Sequence, residues 1–320
     1  MDCVQFSRAV QTNVAQVIIG KAAAVELLLV ALLVEGHVLV EDVPGIGKTT
    51  LAKALARSLD LSFGRIQFTP DLLPSDVTGI YFFHQKRQEF EFRPGPVFNQ
   101  ILLADEINRA TPRTQSALLE AMQERQVTAD GQTFLLPRPW LTLATQNPIE
   151  LEGTFPLPEA QLDRFLVQIK LGYPSEAEED EILLRYQTRS FASGGADDPL
   201  AQLTPIAAAA DLLALQRQAQ QIHVNRDVRR YIVQVARATR EHPSVELGAS
   251  PRGALALLKA SQALAALRGR DYIIPSDVQY LCPSVLTHRI HISPQIRLRG
   301  RTPVQVVEEV VAAVPAPVVE

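Results

Sequence analysis

The sequence predicts an α/β fold, with a parallel sheet and its crossover helices in the first half and helices in the second. Between Val38 and Leu171, short apolar runs alternate with helical patterns and proline-marked loops, which is typical of a parallel sheet. Three of the four runs are almost entirely apolar, as expected of strands that are covered on both faces. After Tyr173 the strand signals stop, and only helical patterns follow.

The composition is that of a folded, globular chain. Apolar residues make up 47% and charged residues 21% of the 320 residues, which excludes a disordered protein and suffices for about two domains. The formal net charge of −4 argues against a protein that coats nucleic acid, because such proteins are usually basic. Cys3 and Cys282 stand far apart, which excludes a disulfide framework and a paired-thiol metal site.

The sequence gives no signal for export or for insertion into a membrane. The N-terminus has no basic segment followed by an apolar core. The longest apolar stretch, Leu27–Val34, is far shorter than the ~20 residues of a membrane-spanning helix. We therefore expect a soluble protein in a reducing, cytoplasmic compartment.

The predicted elements follow one another in a simple order. The strands are expected at Val38–Val40, Ile101–Ala104, Leu141–Ala144 and Phe165–Ile169. The helices of the second half are expected at Glu176–Thr188, Pro205–Gln221, Arg226–Arg240, Pro251–Leu267, Ser276–Leu286 and Pro303–Ala313. We place the boundary near Gly172, which gives one domain at residues 1–172 and a second at residues 173–320.

A glycine-rich loop after the first strand carries the strongest functional signal. Its residues, Val43–Thr50, lie between an apolar strand and a helical pattern, which is the context that a phosphate-binding loop requires. Gly45 and Gly47 let backbone N–H groups turn towards an anion, at a helix N-terminus that itself favours negative charge. Lys48 would reach the terminal phosphates, and Thr49 would offer its hydroxyl to Mg²⁺.

Polar side chains also follow the next two strands. Asp105 and Glu106 come directly after a buried run and therefore lie at the carboxyl edge of the sheet, where such folds bind ligands. With a phosphate loop upstream, Asp105 suits Mg²⁺ coordination and Glu106 suits polarising an attacking water, although an isolated acidic pair is as often a helix cap. Asn147 is a candidate for orienting that water, although an asparagine before proline is by default a turn residue.

Two arginines stand where a cation has little structural use. Arg164 lies just before the last predicted strand, and the alternative there is an exposed ion pair with Asp163 or Glu159, which is worth little. Arg252 lies in the first turn of a helix capped by Ser250, where its charge opposes the helix dipole at a cost of about 0.3–1 kcal/mol. A bound phosphate would remove that conflict, although arginine at such a position is more often simply exposed.

These elements, in this order, resemble the MoxR family of AAA+ ATPases over nearly the whole chain. The strings Asp105–Ala110, Gln115–Met122 and Leu157–Phe165 match its pattern, and the family accepts an acid at Asp42, where the phosphate loop usually has a glycine. The resemblance implies an AAA+ αβα core with a parallel sheet, followed by a smaller all-helical lid. It also implies two inserts, which we place at Asp71–Val97 and in a β-hairpin at residues 126–135.

The resemblance also assigns roles within the site. It implies ATP and Mg²⁺, with Thr49 and Asp105 holding the metal. The catalytic residues would be Glu106, Asn147 as first sensor, Arg164 as arginine finger and Arg252 as second sensor. A segment before the first core helix resembles the adenine-contacting part of the family, although a buried hydrophobic turn explains it equally well. The nucleotide-binding residues would be Val43, Pro44, Gly45, Ile46, Gly47, Lys48, Thr49, Thr50, Ile19 and Gly20.

The family resemblance finally implies a class of function. Its members form homo-oligomeric rings, usually hexamers, and act as chaperones that remodel or mature client proteins. A von Willebrand factor A-domain partner and the insertion of a metal or cofactor into the client belong to this expectation. The alternatives are a magnesium-chelatase ATPase subunit, which shares the inserts, and a DNA helicase motor. The acidic balance disfavours the helicase, and we expect no nucleic-acid partner.

Overall fold

Parallel strands in the first half and helices in the second make up most of this computed structural model, which describes residues 1–43, 45–147, 153–193 and 198–318. The strands are β1 (Val38–Glu41), β2 (Phe63–Gln67), β3 (Gly79–His84), β4 (Glu89–Pro94), β5 (Ile101–Asp105), β6 (Gln126–Ala129), β7 (Gln132–Leu135), β8 (Leu141–Gln146), β9 (Val167–Ile169), β10 (Val245–Leu247) and β11 (His291–Ile292). The helices are α1 (Cys3–Ala15), α2 (Ala22–Leu33), α3 (Lys48–Ser58), α4 (Pro74–Thr78), α5 (Pro112–Glu124), α6 (Glu159–Leu162), α7 (Glu176–Ser193), α8 (Ala209–Gln220), α9 (Arg226–Glu241), α10 (Pro251–Leu267), α11 (Pro275–Leu286), α12 (Pro294–Leu298) and α13 (Pro303–Ala313).

The central sheet is parallel and has the strand order β2-β5-β8-β1-β9. β1 pairs with β8 on one side and with β9 on the other, so that Val38 lies opposite both Leu143 and Val167. Because parallel strands end at the same edge of a sheet, the segments after β1, β5 and β8 lie side by side. Those segments carry the phosphate loop, the acidic pair and Asn147, which confirms the predicted α/β arrangement.

Both faces of the sheet are covered, as the apolar runs predict. Ile101 and Leu103 belong to the core that α1, α2 and α3 share, whereas Leu102 and Ala104 belong to the core formed with α5. Successive side chains of a strand point to opposite faces, so one apolar run supplies both layers. The result is the αβα sandwich that the sequence predicts.

Both predicted inserts form β-hairpins. β3 pairs with β4 inside the first insert, and β6 pairs with β7 around a turn in which Asp130 and Gly131 have φ values of 48° and 78°. Positive φ at both central residues is the geometry of a type I′ turn. The two hairpins also contact each other, because the rings of Phe92 and Phe134 stack with their centroids 4.1 Å apart.

The second half is helical, and two of its helices have the predicted bounds, Pro251–Leu267 and Pro303–Ala313. The expectation that no strand follows Tyr173 is wrong in one detail. β10 and β11 form a short antiparallel pair, although each has only two or three residues. Strands this short have no recognisable period in the sequence.

The strand predictions for the sheet are wrong at two places. β2 was not predicted, because Phe63–Gln67 mixes polar with apolar residues and contains a glycine. The last strand begins at Val167 rather than at Phe165, which leaves Arg164 in a turn after α6. The Arg289 side chain donates to the carbonyl oxygens of Phe165 and Leu166, while the Leu166 N–H donates to the carbonyl oxygen of His37, just before β1.

Three further predictions concern the start of α8, membrane-spanning helices and disulfides. α8 begins at Ala209 instead of Pro205, since the Asp211 carboxylate accepts the N–H of Ala208 and caps the helix there. No helix within the described ranges is both long and apolar enough to cross a membrane. Cys3 and Cys282 are buried free thiols, which agrees with the predicted lack of a disulfide.

Candidate functional site

The phosphate loop has the backbone that its glycines predict. Gly45 and Gly47 have φ values of 85° and 88°, and Gly47 is the N-cap residue of α3. A Cβ added to either glycine would meet nothing within 4 Å, so the positive φ, and not crowding, requires glycine here. The Lys48 Nζ donates a 2.9 Å hydrogen bond to the carbonyl oxygen of Asp42. Pro44 lies outside the described residues.

Asp42 has a structural task that explains its place in the loop. Its side chain is buried, and Oδ2 accepts the backbone N–H groups of Leu171 at 2.6 Å and Gly172 at 2.7 Å. Its Oδ1 accepts the N–H of Val43 at 3.0 Å. A carboxylate that accepts several N–H groups is well satisfied in a buried position. Asp42 therefore ties the start of the phosphate loop to the residues that follow β9.

The acidic pair stands at the end of β5 and is held by Thr145 at the end of β8. The Thr145 hydroxyl donates to Asp105 Oδ1 at 2.6 Å and accepts the backbone N–H of Glu106 at 2.8 Å. Glu106 has a φ of 57°, which is uncommon for a residue with a side chain, and it stands where the chain leaves β5 for a short helical turn. One buried hydroxyl thus fixes both acids.

Two residues of β2 contact the same acids and were missed from the sequence. Arg65 Nη2 lies 2.7 Å from Asp105 Oδ2, and Gln67 Nε2 donates to Glu106 Oε2 at 2.7 Å. Arg109 also pairs with Glu106 Oε2, at 3.0 Å from its Nε. The signal in the sequence is the alternation of polar with apolar residues, because Gly64 and Ile66 are buried while Arg65 and Gln67 are exposed.

The phosphate loop, the acidic pair and the two residues of β2 meet in one open cavity of about 350 Å³, which we call the phosphate cavity. It brings together a lysine, an arginine, two hydroxyls, two carboxylates and two amides at the carboxyl edge of a parallel sheet. This is a set that can bind a phosphate chain and activate a water. The residues lining it are Gly45, Gly47, Lys48, Thr49, Thr50, Arg65, Gln67, Asp105, Glu106 and Asn147.

The phosphate cavity also offers the oxygen donors that Mg²⁺ prefers. Thr49 and Asp105 both line it, and Mg²⁺ in nucleotide sites needs only one or two protein ligands in addition to phosphate oxygens and waters. Within the described ranges, no group of three or more His, Cys, Asp or Glu side chains is placed to hold a metal by itself. The donor set fits a metal that arrives with a nucleotide and does not fit a metal held by the protein alone.

Arg164 and Arg252 lie elsewhere. Neither lines the phosphate cavity, and neither guanidinium has a hydrogen-bond or ion-pair partner among the residues that the structure describes. Their backbones are nevertheless linked, because Asp163 accepts the hydroxyl of Ser250 at 2.9 Å, and Ser250 is the predicted N-cap of the helix with Arg252. The structure thus links the segments that carry the two arginines, and it places neither arginine in the lining of the phosphate cavity of its own chain.

Ile19 and Gly20 lie between α1 and α2 and do not line the phosphate cavity. The neighbouring Lys21 Nζ donates to the carbonyl oxygen of Gly172 at 3.2 Å. A Cβ on Gly20 would lie 1.6 Å from a carboxylate oxygen of Glu178 in α7. This segment therefore lies beside the connection from β9 to α7. Asp42 binds the same connection through the N–H groups of Leu171 and Gly172.

Family models match both halves of the chain. The model described as "ATPase family associated with various cellular activities (AAA)" matches residues 37–167, and the model described as "AAA lid domain" matches residues 237–310. The first covers the sheet with the phosphate loop and both acids, and the second covers the helices around Arg252.

Whole-length relatives agree with these matches. The chain is 46% identical to Chaperone MoxR1 of Mycobacterium tuberculosis, over 89% of this chain and 78% of that protein. It is 34% identical to Protein MoxR of Paracoccus denitrificans, over 94% and 93%. A crystal structure of a candidate ATPase from Cytophaga hutchinsonii superposes with a TM-score of 0.89 at 36% identity, covering 98% and 97% of the two chains. The chain thus belongs to the MoxR family of AAA+ ATPases: it is a chaperone-like protein that binds and hydrolyses ATP.

Proposed function

We propose that this ATPase works as a homo-oligomeric ring whose ATP hydrolysis remodels client proteins. The observation that carries the proposal is the division of the charged groups into two sets. The phosphate cavity collects Lys48, Asp105 and Glu106 in one place, whereas Arg164 and Arg252 have no charged partner in the described chain. In a site shared with a second copy of the chain, the nucleotide phosphates bound by that copy would be the anion that these arginines contact.

In the proposed site, the phosphate loop holds the nucleotide. The backbone of Val43–Thr50 and the Lys48 ammonium would bind the phosphate chain, and Lys48 would exchange its bond to the Asp42 carbonyl for the terminal phosphates. Thr49 and Asp105 would hold Mg²⁺, which when bound neutralises part of the phosphate charge. Ile19 and Gly20 are proposed to contact the adenine, since they lie beside the residues that Asp42 ties to the loop.

Hydrolysis needs a group that takes a proton from water. Glu106 is proposed as that base, because it lines the phosphate cavity. Gln67 and Arg109 both contact its Oε2 and so hold the carboxylate in place. Asn147 is proposed to orient the same water by hydrogen bonding, since it follows β8 on the same edge of the sheet.

The remaining charge is proposed to come from a neighbouring subunit. An arginine that reaches into the next subunit's site stabilises the charge of the phosphoryl-transfer transition state and can be worth 10³–10⁵-fold in rate. Arg164 is proposed for this task, with Arg252 as a second contact to the nucleotide. We expect a hexameric ring. Each subunit would be divided near Gly172 into a core at residues 1–172 and a lid at residues 173–320.

The finer biological role extends the chaperone-like function of the family. We propose a partner with a von Willebrand factor A domain and a client that receives a metal or cofactor while it is remodelled, in the cytoplasm. To test both the partner and the client, a ring that cannot hydrolyse ATP is incubated with cell extract, and the proteins that stay bound are identified. Salt-resistant stimulation of the ATPase by DNA would instead support a helicase motor, and binding of a large chelatase subunit would support a magnesium-chelatase role.

The shared site is tested by mixing two inactive variants. Lys48→Ala removes the charge that binds the phosphates but leaves the arginines, whereas Arg164→Ala leaves the phosphate cavity but removes the finger. Each variant alone should be almost inactive, and Arg164→Ala should still bind ATP with normal affinity by calorimetry. A mixture that exchanges subunits should regain part of the ATPase activity.

A control keeps that result clear. Subunit exchange is first shown by energy transfer between labelled wild-type and variant subunits, and each variant is also mixed with itself. If exchange occurs and the mixture stays inactive, Arg164 does not act across a subunit boundary and the shared-site mechanism is wrong.

A further inference from the structure

A buried arginine joins the two halves of the chain beside Arg164. The side chain of Arg289, which follows α11, is only 2% exposed. Its Nε donates to Asp163 Oδ1 at 2.8 Å, and its Nη1 donates to the carbonyl oxygen of Leu166 at 3.0 Å. Its Nη2 donates to the carbonyl oxygen of Phe165. A residue of the second half thus holds the backbone on either side of Arg164.

The other oxygen of the same carboxylate reaches the helix of Arg252. The Ser250 hydroxyl donates to Asp163 Oδ2 at 2.9 Å, and its oxygen accepts the backbone N–H of Arg252 at 3.1 Å. Asp163 is therefore linked to both arginines. It precedes Arg164 in the chain, and it accepts a hydrogen bond from Ser250, which caps the helical turn that carries Arg252. We call Asp163, Ser250 and Arg289 the Asp163 junction.

We propose that Arg289 is a positioning residue that, through the Asp163 junction, fixes Arg164 and Arg252 as one rigid unit facing the nucleotide of the neighbouring subunit. The proposal rests on the proposed function, because it requires Arg164 to act across a subunit boundary. Arg289 is too deeply buried to contact a nucleotide, so its effect passes through the two arginines.

Arginine is suited to this task for a physical reason. Its planar guanidinium presents several donors in a fixed fork, so one side chain can hold a carboxylate and two backbone carbonyls at once, which the ammonium of lysine cannot do. Arg164 and Arg252 have no side-chain partner that would orient them in the described chain, so their placement depends on their backbone. A displacement of 1 Å at a reacting centre can cost about 10²-fold in rate.

The test replaces Arg289 with an uncharged side chain of similar length. Arg289→Met should lower turnover by about 10²-fold and leave the affinity for ATP unchanged, because the phosphate cavity does not include the junction. Arg270→Met is the matched control, because Arg270 pairs with the buried carboxylate of Asp277 inside the second half. The control should lower the melting temperature but keep the turnover of the folded protein.

Mixing experiments separate a positioning role from a general loss of stability. Arg289→Met mixed with Lys48→Ala should regain activity to the same extent as Arg164→Ala mixed with Lys48→Ala. Arg289→Met mixed with Arg164→Ala should gain nothing over the residual activity of the separate variants, because both lack a working arginine and both retain a working cavity. Arg289→Lys should lie between wild type and Arg289→Met, since it restores the charge without the fork.

Three results would overturn the proposal. The first is normal turnover in Arg289→Met, and the second is recovery when it is mixed with Arg164→Ala. The third is recovery in the Arg164→Ala and Lys48→Ala mixture without recovery in the Arg289→Met and Lys48→Ala mixture. If neither mixture recovers, the shared site itself is wrong. Asp163→Asn, which keeps the size of the side chain, replaces Arg289→Met if that variant does not fold.

Discussion

The phosphate cavity and the Asp163 junction differ in how their charges are satisfied. In the cavity, Lys48, Asp105 and Glu106 each have a partner from their own chain. At the junction, the buried Arg289 and the partly exposed Asp163 satisfy each other, while the arginines that they hold have no described partner. The chain therefore completes the groups that bind and activate a phosphate, but it leaves Arg164 and Arg252 without a described partner, and the Nε of Arg164 is itself buried.

The two regions also differ in where their residues come from. The phosphate cavity uses the ends of neighbouring strands in the first half, whereas the junction needs side chains from both halves. We infer that the first half alone supplies the groups that bind the phosphates, while turnover also depends on how the second half is seated on the first. Substitutions should thus separate ATP binding from turnover, and four of them are considered in order of expected effect.

Glu106→Gln should have the largest effect and should act on turnover alone. Glutamine keeps the size of the side chain and its hydrogen bonds but cannot accept the proton, so turnover should fall by about 10²–10⁴-fold. ATP should still bind, because Lys48 and the loop are intact. Single-turnover hydrolysis and calorimetry measure the two quantities separately, and near-normal hydrolysis would show that another group handles the water.

Arg252→Ala should follow, with a loss of turnover of about 10–100-fold, which corresponds to one charge-assisted hydrogen bond of about 1.5–3 kcal/mol. If Arg252 belongs with Arg164, this variant should regain activity when it is mixed with Lys48→Ala. Recovery would assign Arg252 to the neighbour's nucleotide. A defect in ATP affinity that mixing does not repair would place it in the site of its own chain, and unchanged kinetics would return it to an ordinary exposed residue.

The sequence predicts the site best where function follows from local order. The glycines at positions 45 and 47 and the acids after β5 were predicted because a strand end and the next few residues define them. Arg65 and Gln67 were missed together with β2, since a short strand with polar residues at alternate positions gives a weak signal.

The Asp163 junction could not have been predicted in the same way. Arg289 is 126 residues from Asp163 in sequence, and nothing near either residue indicates the other. Arg289 also binds the carbonyl oxygens of Phe165 and Leu166, the two residues that precede β9 and that the sequence places in the strand. Contacts between segments far apart in the chain determine such pairings, and the pattern of a single sequence does not indicate which distant residues meet.

Asp42→Gly tests the link between the phosphate loop and the residues after β9, and it restores the glycine that phosphate loops usually have. It should lower the free energy of unfolding by about 1.5–3 kcal/mol, since the N–H groups of Leu171 and Gly172 lose a charged acceptor. It should also weaken ATP binding more than turnover. Glu41→Gln is the matched control, because the neighbouring Glu41 also contacts β9, through Gln168, but is more exposed.

The smallest effect is expected at Thr145, and Thr142 on the same strand provides its control. Both side chains are fully buried, but the Thr145 hydroxyl joins Asp105 to Glu106, whereas the Thr142 hydroxyl has no hydrogen-bond partner in the described chain. Thr145→Val should cost about 1–3 kcal/mol of unfolding free energy, because it leaves the Glu106 N–H and one Asp105 oxygen without their bonds.

Thr142→Val should be neutral or stabilising, because it replaces an unsatisfied buried hydroxyl with a methyl group. Turnover should fall in Thr145→Val by less than in Arg252→Ala, since Gln67 and Arg109 still hold the Glu106 carboxylate. Urea unfolding and steady-state ATPase assays measure both quantities. Equal losses in the two variants would mean that removing any hydroxyl from β8 disturbs the sheet, and that Thr145 has no particular role in fixing the acids.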